Sequence, residues 1–206
     1  VMGTIEIEKT GEVLVGVKEE ETEHGTVKVP VYEQRPVNGL VFDVIAKEDI
    51  IAPDGTVHAM ANQVVDTLVT GKKDITDELH LGTYLVVEKE AGNHGLVLDT
   101  EPHEVTLSYK DQHTPLIAEK LPLKNKRQKV DLELLKKAEV FDIEKDEYVA
   151  QPAGEGFVFG VYANQDILDY EGNIVIQKDD LIALLSTDKD GKAKIQDDSL
   201  PLALLY

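Results

Sequence analysis

The chain repeats itself once, and the long period of this repeat limits the folds that it can adopt. The segment GLVFDVIAKEDIIAPDG begins at Gly39, and the related segment GFVFGVYANQDILDYEG begins at Gly156. Thr70 and Thr187 keep the same offset further along the chain. A period of about 117 residues is much longer than the period of a solenoid or propeller repeat, so it indicates two tandem domains.

The boundary between the two domains is predicted near the basic stretch 124–129, with one domain over residues 1–127 and a second over residues 128–206. A chain of 206 residues is long enough to build two separate cores. The last block that the two copies share begins at Leu79 in the first copy and at Leu200, close to the last residue, in the second. We therefore expect the second domain to lack its last strands, which would come from a continuation of the chain or from elsewhere.

Strand patterns dominate both copies. Apolar and polar residues alternate with a period of two in three segments, and two further segments are β-branched and aromatic runs typical of buried strands. The alternating segments are 4–9, 105–109 and 130–134, and the apolar runs are 40–45 and 157–162. Asn-Gly, Asp-Gly and Glu-Gly turn dipeptides separate the runs. These patterns predict an all-β fold made of β-sandwiches.

Two details of this fold can be predicted from the same patterns. Each copy contains one short helical candidate, at residues 46–50 and 163–167. The core of the first sandwich should contain Phe42 and Val44 from one strand, and from a second strand Leu85 and Val87 or their neighbours.

The composition disfavours several kinds of partner. Acidic residues number 40 against 21 basic ones, and the resulting net charge of -19 repels nucleic acid and anionic membrane surfaces. The acidity is explained by solubility, with binding of divalent cations as the alternative. The chain has no cysteine, so a small extracellular domain of this kind would need a stabilising device other than a disulfide. No apolar run approaches the length of roughly 18 residues that a membrane span requires.

The chain also lacks the motifs of common catalytic and metal sites. The six histidines show no paired metal-binding spacing, and neither a glycine-rich phosphate loop nor a G-x-S-x-G motif is present. The segment from Asp188 to Gly191 begins like a calcium loop, but Ser199 stands where the bidentate glutamate is required. We therefore expect that the chain binds no cofactor and no metal ion, and that it is not a metabolic enzyme.

Four blocks of the sequence carry a resemblance to a known family. Residues 5–11 form a strand that ends in a lysine and a turn, and residues 39–42 and 156–159 form strands that run from glycine to phenylalanine. The most specific block is Leu79-His80-Leu81-Gly82-Thr83-Tyr84, followed by Glu88, Ala91, Gly95 and Leu96. Residues 121–125 add a closing strand that ends in asparagine. In these blocks the chain resembles the Cna B-type domains, also called SpaA-like pilin domains, of Gram-positive bacteria.

The resemblance implies a prealbumin-like, immunoglobulin-like β-sandwich with a spontaneous bond between two side chains. The lysine would be Lys9, the asparagine Asn125 and the assisting acid Glu88. Burial suits this chemistry, because it favours the neutral form of an amine and of a carboxyl group. His80, Gly92 and Leu96 depart from the proline, proline and tyrosine that are usual in the family, which affects the expected loops but not the fold.

Each of these three residues also has a plain structural explanation. A strand lysine is usually a solvated edge residue, and Glu88 would be exposed if it alternates with Val87. Asn125, between two lysines, would be a turn residue. In the second copy the reactive lysine would be Lys136, which fits the strand alternation, or Lys137, which fits the motif spacing. The matching glutamate and asparagine would lie beyond Tyr206.

The resemblance also implies a function and a location. We expect a structural stalk or pilin-like module, extracellular in a cell wall or pilus, whose partners are neighbouring domains or subunits of the same surface protein. The alternative is an adhesive module that binds a host matrix protein or a glycan. A third class, an accessory domain of a secreted enzyme, would require a catalytic domain elsewhere in the gene.

Overall fold

A computed structural model describes residues 1–195, 198–203 and 205–206, and the described residues form an all-β structure without helices. No helix capable of crossing a membrane occurs in this part of the chain. The strands in chain order are β1 (Met2–Thr22), β2 (Gly25–Pro36), β3 (Val41–Ala46), β4 (Ile50–Ile51), β5 (Val57–Ala59), β6 (Val64–Val69), β7 (Leu79–His80), β8 (Gly82–Glu90), β9 (His103–Leu107), β10 (Leu116–Asn125), β11 (Glu133–Leu135), β12 (Lys137–Asp142), β13 (Glu147–Pro152), β14 (Val158–Tyr162), β15 (Ile167–Leu168), β16 (Ile174–Ile176), β17 (Leu181–Ser186) and β18 (Lys192–Lys194).

The chain divides into two compact units that are not continuous in sequence. The first unit contains residues 1–13 and 33–127, and the second contains residues 14–32 and 128–206. The second unit thus resumes next to the boundary predicted from the repeat. Residues 14–32, which the sequence pattern assigned to the first domain, are the outer part of the β1–β2 hairpin and are grouped with the second unit.

The described part of the first unit contains two four-stranded sheets and the two-stranded sheet β4-β5. One has the order β10-β1-β2, with β7 also pairing with β1, and the other has the order β6-β3-β8-β9. The first strand β1 and the last strand β10 run parallel, with Met2 opposite Leu116 and Gly11 opposite Asn125. Parallel neighbours run in the same direction, so the chain beyond Gly11 and the chain beyond Asn125 continue from the same end of the β1–β10 pairing.

The buried residues of the first unit come from both sheets. Phe42 and Val44 on β3 are buried as predicted. On β8, the predicted neighbours Tyr84 and Val86 are the buried residues, and Leu85 and Val87 occupy the opposite, partly exposed face. The sequence alone does not decide which residues of β8 face the core, because residues 84–87 are all apolar or aromatic and fit either face of the strand.

The two predicted short helices are wrong. Residues 47 and 48 form a bend between β3 and β4, and the corresponding segment of the second copy is likewise non-helical. Five residues are too few to offset the cost of nucleating a helix. The aspartates of both segments instead accept hydrogen bonds from distant backbone, Asp49 from Ala61 and Asp166 from Lys178, each at 2.8 Å.

The internal repeat is visible in the hydrogen bonds of the two units. The Thr70 hydroxyl accepts a hydrogen bond from the N–H of Leu40, and the Thr187 hydroxyl accepts one from Phe157, both at 3.0 Å. Both threonines are buried. Because the donors directly precede the equivalent strands β3 and β14, each threonine fixes the start of that strand in its unit.

The second unit has its own apolar core, and part of that core comes from the hairpin. Leu14 and Val17 pack against a buried cluster formed by Val161, Ala163, Ile167, Ile176, Ile182, Leu185, Ala193, Ile195 and Leu200. The carbonyl of Leu14 accepts a hydrogen bond of 3.0 Å from the N–H of Tyr170. Leu204, which lies in the second copy of the family block, is outside the described residues.

Thr70→Val should destabilise the first unit by about 1–3 kcal/mol, because the buried N–H of Leu40 loses its hydrogen-bond acceptor. Urea unfolding would measure the loss as a lower midpoint with an unchanged slope. The control is Thr67→Val on the strand that directly precedes Thr70, where the side chain is exposed and the change should stay within about 0.5 kcal/mol. Equal effects of the two substitutions would contradict this role of Thr70.

Candidate intramolecular cross-link site

The alternation of β1 carries Lys9 into the interior of the first unit. Ile5, Ile7 and Lys9 share one face of the strand, and all three are buried. Glu6 and Glu8 lie on the opposite face, where Lys120 contacts both of them. The face that buries the isoleucines therefore also buries an amine.

Asn125 reaches the same place from β10. In the parallel register Lys9 lies opposite Leu123, and Asn125 lies two residues further along the neighbouring strand. Such diagonal neighbours are about 7–8 Å apart at their backbones, a distance that a lysine side chain spans. Asn125 is 2 % exposed, so it is a buried strand residue and not a turn residue.

Glu88 comes from the opposite sheet. It shares the buried face of β8 with Tyr84 and Val86, and it lies opposite Phe42 on β3. Its exposed fraction is 4 %. The alternative explanation, in which Glu88 is exposed, is wrong. The large Tyr84 side chain is buried, and Val86 and Glu88 lie on the same face of β8 as Tyr84.

The three side chains contact one another. The Lys9 amine donates a hydrogen bond to Oδ1 of Asn125. Nδ2 of Asn125 donates to both carboxylate oxygens of Glu88, at 2.7 Å to Oε1 and 2.9 Å to Oε2. The Lys9 amine also lies 3.5 Å from Oε1 of Glu88 and 5.5 Å from the centroid of the Phe42 ring. The structure therefore brings together the three residues that the family resemblance singled out.

The environment of the Lys9 amine disfavours its charge. Burial lowers the pKa of Lys9 below its ordinary value of 10.5, and the charge and hydrogen bond of Glu88 only partly offset this effect. A lysine with a lowered pKa is more often a neutral amine, which is the nucleophilic form. The side chains of Lys9 and Glu88 are each 1 % exposed, so solvent screens their interaction little.

Two residues that sequence reasoning missed hold Glu88 in place. The backbone N–H of Asp99 donates a hydrogen bond of 2.6 Å to Oε2 of Glu88, and the Asp99 carboxylate is joined to His103 at 2.7 Å. Burial acts to raise the pKa of Asp99, but the hydrogen bonds with His103 and Glu101 outweigh it and hold that pKa below its ordinary value. No periodic pattern covers this loop, so the sequence gives no signal for the contact.

Gly11 allows the site to be covered by an apolar side chain. Gly11 lies opposite Asn125, and a Cβ atom at this position would be 2.6 Å from Cδ1 of Leu96. Leu96 is buried, and it occupies the position where the family usually has tyrosine. The small residue on β1 therefore makes room for the leucine that packs beside the site.

The other sequence-predicted residues lie elsewhere. Lys136 and Lys137 are both exposed, so neither has the buried surroundings that lower the pKa of Lys9. The Asp188 carboxylate accepts hydrogen bonds from the backbone N–H groups of Asp190 and Lys192, at 2.8 Å and 3.0 Å. This segment is a hydrogen-bonded Asp-Gly turn in the described structure.

Comparison with known proteins gives matches among solved structures only. No family model matches the chain, and no curated protein matches it. A solved structure of the Bacillus anthracis TIE protein is 19% identical with a TM-score of 0.45, and the match covers 95% of this chain and 26% of that one. A Streptococcal ancillary pilin is 14% identical with a TM-score of 0.37, covering 94% of this chain and 49% of the pilin.

A third match is the SpaE basal pilin from Lactobacillus rhamnosus GG, with 15% identity, a TM-score of 0.38, and coverage of 94% of this chain and 76% of that one. This chain thus spans about a quarter of the first protein and about half of the second.

In the Asn125→Ala variant, which has no amide for Lys9 to react with, stability should rise with pH. The pKa of Lys9 is lower in the folded state than in the unfolded state, so between these two values the unfolded chain binds more protons. Stability therefore increases as the pH rises towards 10.5, by at most about 1.4 kcal/mol per pH unit. Urea unfolding at pH 7, 8 and 9 would measure the slope.

The matched control is the double variant Lys9→Met/Asn125→Ala, which removes the amine and keeps an apolar stem of similar length. The difference in slope between the single and double variants isolates the contribution of Lys9 from that of every other titrating group. Identical slopes would show that the Lys9 amine has the same proton affinity in both states.

Proposed function

We propose that this chain is a structural module of a Gram-positive surface protein or pilus, stabilised by an isopeptide bond that forms spontaneously between Lys9 and Asn125. Glu88 is the residue that catalyses the bond. The observation that carries the proposal is the meeting of a buried amine, a buried amide and a buried carboxylate on three different strands. The family resemblance of the sequence assigns the same three residues the same roles.

The positions of the atoms support an order of proton transfers. Oε1 of Glu88 lies 3.5 Å from the Lys9 amine and 2.7 Å from Nδ2 of Asn125, so one oxygen faces both the nucleophile and the leaving group. Oε2 is held by the backbone N–H of Asp99. The proton of the Lys9 ammonium passes to Oε1, and the amine becomes neutral.

The neutral Nζ then attacks Cγ of Asn125. The C–N bond forms while the C=O bond becomes a single bond to an oxyanion, and Nζ carries a positive charge until it loses a further proton. Glu88 delivers to Nδ2 the proton that it took from Lys9, the oxyanion collapses, and the bond between Cγ and Nδ2 breaks. The Glu88 carboxylate then accepts the remaining proton of the positively charged Nζ. The products are a secondary amide and ammonia, so the reaction requires neither an oxidant nor a cofactor.

The reaction is a single event in each molecule and not enzymatic turnover. Lys9 and Asn125 are both consumed, and the buried side chains of Lys9 and Glu88 leave no path for an external substrate. The benefit is mechanical and thermodynamic. The two residues are 116 positions apart in the chain, and a cross-link that closes a loop on the order of 100 residues stabilises by roughly 4–5 kcal/mol in the chain-entropy model.

The position of the bond suits a protein under tension. Lys9 lies on the first strand of the first unit, and Asn125 ends its last strand. A force applied to the two ends of residues 1–127 would pass through the bond and bypass the residues between Lys9 and Asn125. The partners of such a module are neighbouring domains or subunits of the same surface protein, and its location is extracellular.

Intact-mass spectrometry tests the bond directly. The wild-type chain should be lighter than its calculated mass by one ammonia, about 17 Da, because the amide nitrogen of Asn125 is lost. Glu88→Gln keeps the shape of the side chain and removes its acid–base function, so it should restore the full mass. A wild-type chain with its full calculated mass would disprove the cross-link.

The control for this substitution is Glu90→Gln, two residues further along β8, where the side chain is exposed. This variant should lose ammonia as the wild-type chain does. Tandem mass spectrometry after proteolysis should join the peptide of Lys9 to the peptide of Asn125. A joined pair that involved a different lysine or asparagine would contradict the assignment.

A further inference from the structure

The repeat gives each copy a hairpin in the same place. In the first copy β1 and β2 form a hairpin just before β3, and in the second copy β12 and β13 form a hairpin just before the equivalent strand β14. We call residues 14–32 the first arm and residues 137–152 the second arm.

The first arm is part of the unit that follows it in the chain. It is grouped with the second unit, and Leu14 and Val17 pack against that unit's buried cluster. Polar contacts accompany this packing. The Lys28 amine lies 2.8 Å from the Asp180 carboxylate, and the Tyr32 hydroxyl donates to the carbonyl of Ser199 at 2.9 Å.

The second arm has similar apolar character but little cover. Within the described residues β12 and β13 pair only with each other. Phe141 is 45 % exposed, Tyr148 is 69 % exposed and Ile143 is 86 % exposed. Phe141 and Tyr148 are cross-strand partners whose rings meet edge to face at 5.2 Å, so they form one apolar surface on the hairpin. Apolar side chains clustered in this way on a surface mark a site of interaction.

The parallel pairing of β1 and β10 indicates where the arm of the first copy projects. The chain beyond Gly11, which becomes the first arm, continues from the same end of the β1–β10 pairing as the chain beyond Asn125, which leads into the second copy. The first arm is therefore directed the way the chain itself proceeds.

We propose that the second arm is a docking arm for a further module of the same repeat, placed after the second unit, which it completes as the first arm completes the second unit. The module that receives it offers an apolar cluster for Phe141, Ile143 and Tyr148, and a backbone N–H equivalent to that of Tyr170. Each module is thereby tied to the next by a donated hairpin in addition to the peptide bond. This docking requires neither Lys9 nor the cross-link.

The test uses the 206-residue chain and the same chain extended by a second copy of residues 128–206 after Tyr206. Hydrogen exchange measured by mass spectrometry should show amide exchange within residues 137–152 slowed at least about tenfold in the extended chain. The slowing should disappear in an extended chain that carries Phe141→Asp/Ile143→Asp in its first copy of these residues. Unchanged exchange on extension, whether or not the added copy folds, overturns the proposal.

A matched pair of variants in the unextended chain tests the premise. Leu14→Asp/Val17→Asp should lower the unfolding midpoint of the second unit, because two charges would enter its core. Phe141→Asp/Ile143→Asp should leave that midpoint unchanged, because these side chains are largely uncovered there. If Leu14→Asp/Val17→Asp leaves the unfolding midpoint of the second unit unchanged, the proposal is overturned. Concentration-dependent dimerisation of the 206-residue chain that Phe141→Asp/Ile143→Asp abolishes would also overturn it, because the partner would then be a second copy of the chain.

Discussion

The burial of the Lys9 amine is the interaction on which the chemistry that we propose for the first unit depends. An amine inside an apolar sandwich is costly unless it is neutral or paired, and here it contacts both Asn125 and Glu88. Burial of a charged amine costs folding free energy. The same burial lowers the pKa of Lys9 and so favours the neutral amine, which is the nucleophilic form. Formation of an amide would remove the buried charge altogether. A site that is unfavourable before reaction would therefore become neutral and covalently closed after it.

The fold class and the burial of Lys9 could both be predicted from the sequence, because both follow from the alternation of apolar and polar residues along the strands. Ile5 and Ile7 fix the buried face of β1, and Lys9 is in phase with them. The position of Glu88 could not be derived in this way, because the residues before it are apolar on both faces and only the burial of Tyr84 decides the phase. The contact from Asp99 lies in a loop whose conformation depends on His103, which no local pattern encodes.

The grouping of residues 14–32 with the second unit was likewise beyond the sequence pattern. Leu14 and Val17 are apolar residues in a strand, and their pattern is the same whichever core covers them. The repeat did reveal two equivalent copies, and the hydrogen bonds of Thr70 and Thr187 show the same strand entry in both. Sequence similarity identifies equivalent strands, but long-range contacts decide which core receives the end of a hairpin.

The parallel pairing of β1 with β10 links the cross-link to the hairpin. It places Asn125 diagonally opposite Lys9, which is the condition for the two side chains to meet. It also makes the extension of β1 and the chain beyond Asn125 continue from the same end of this pairing. An antiparallel first and last strand would still allow a side-chain bond, but the extension of β1 and the chain beyond the last strand would then lie at opposite ends of the pairing. One strand pairing therefore serves both the strength within a module and, in our proposal, the connection between successive modules.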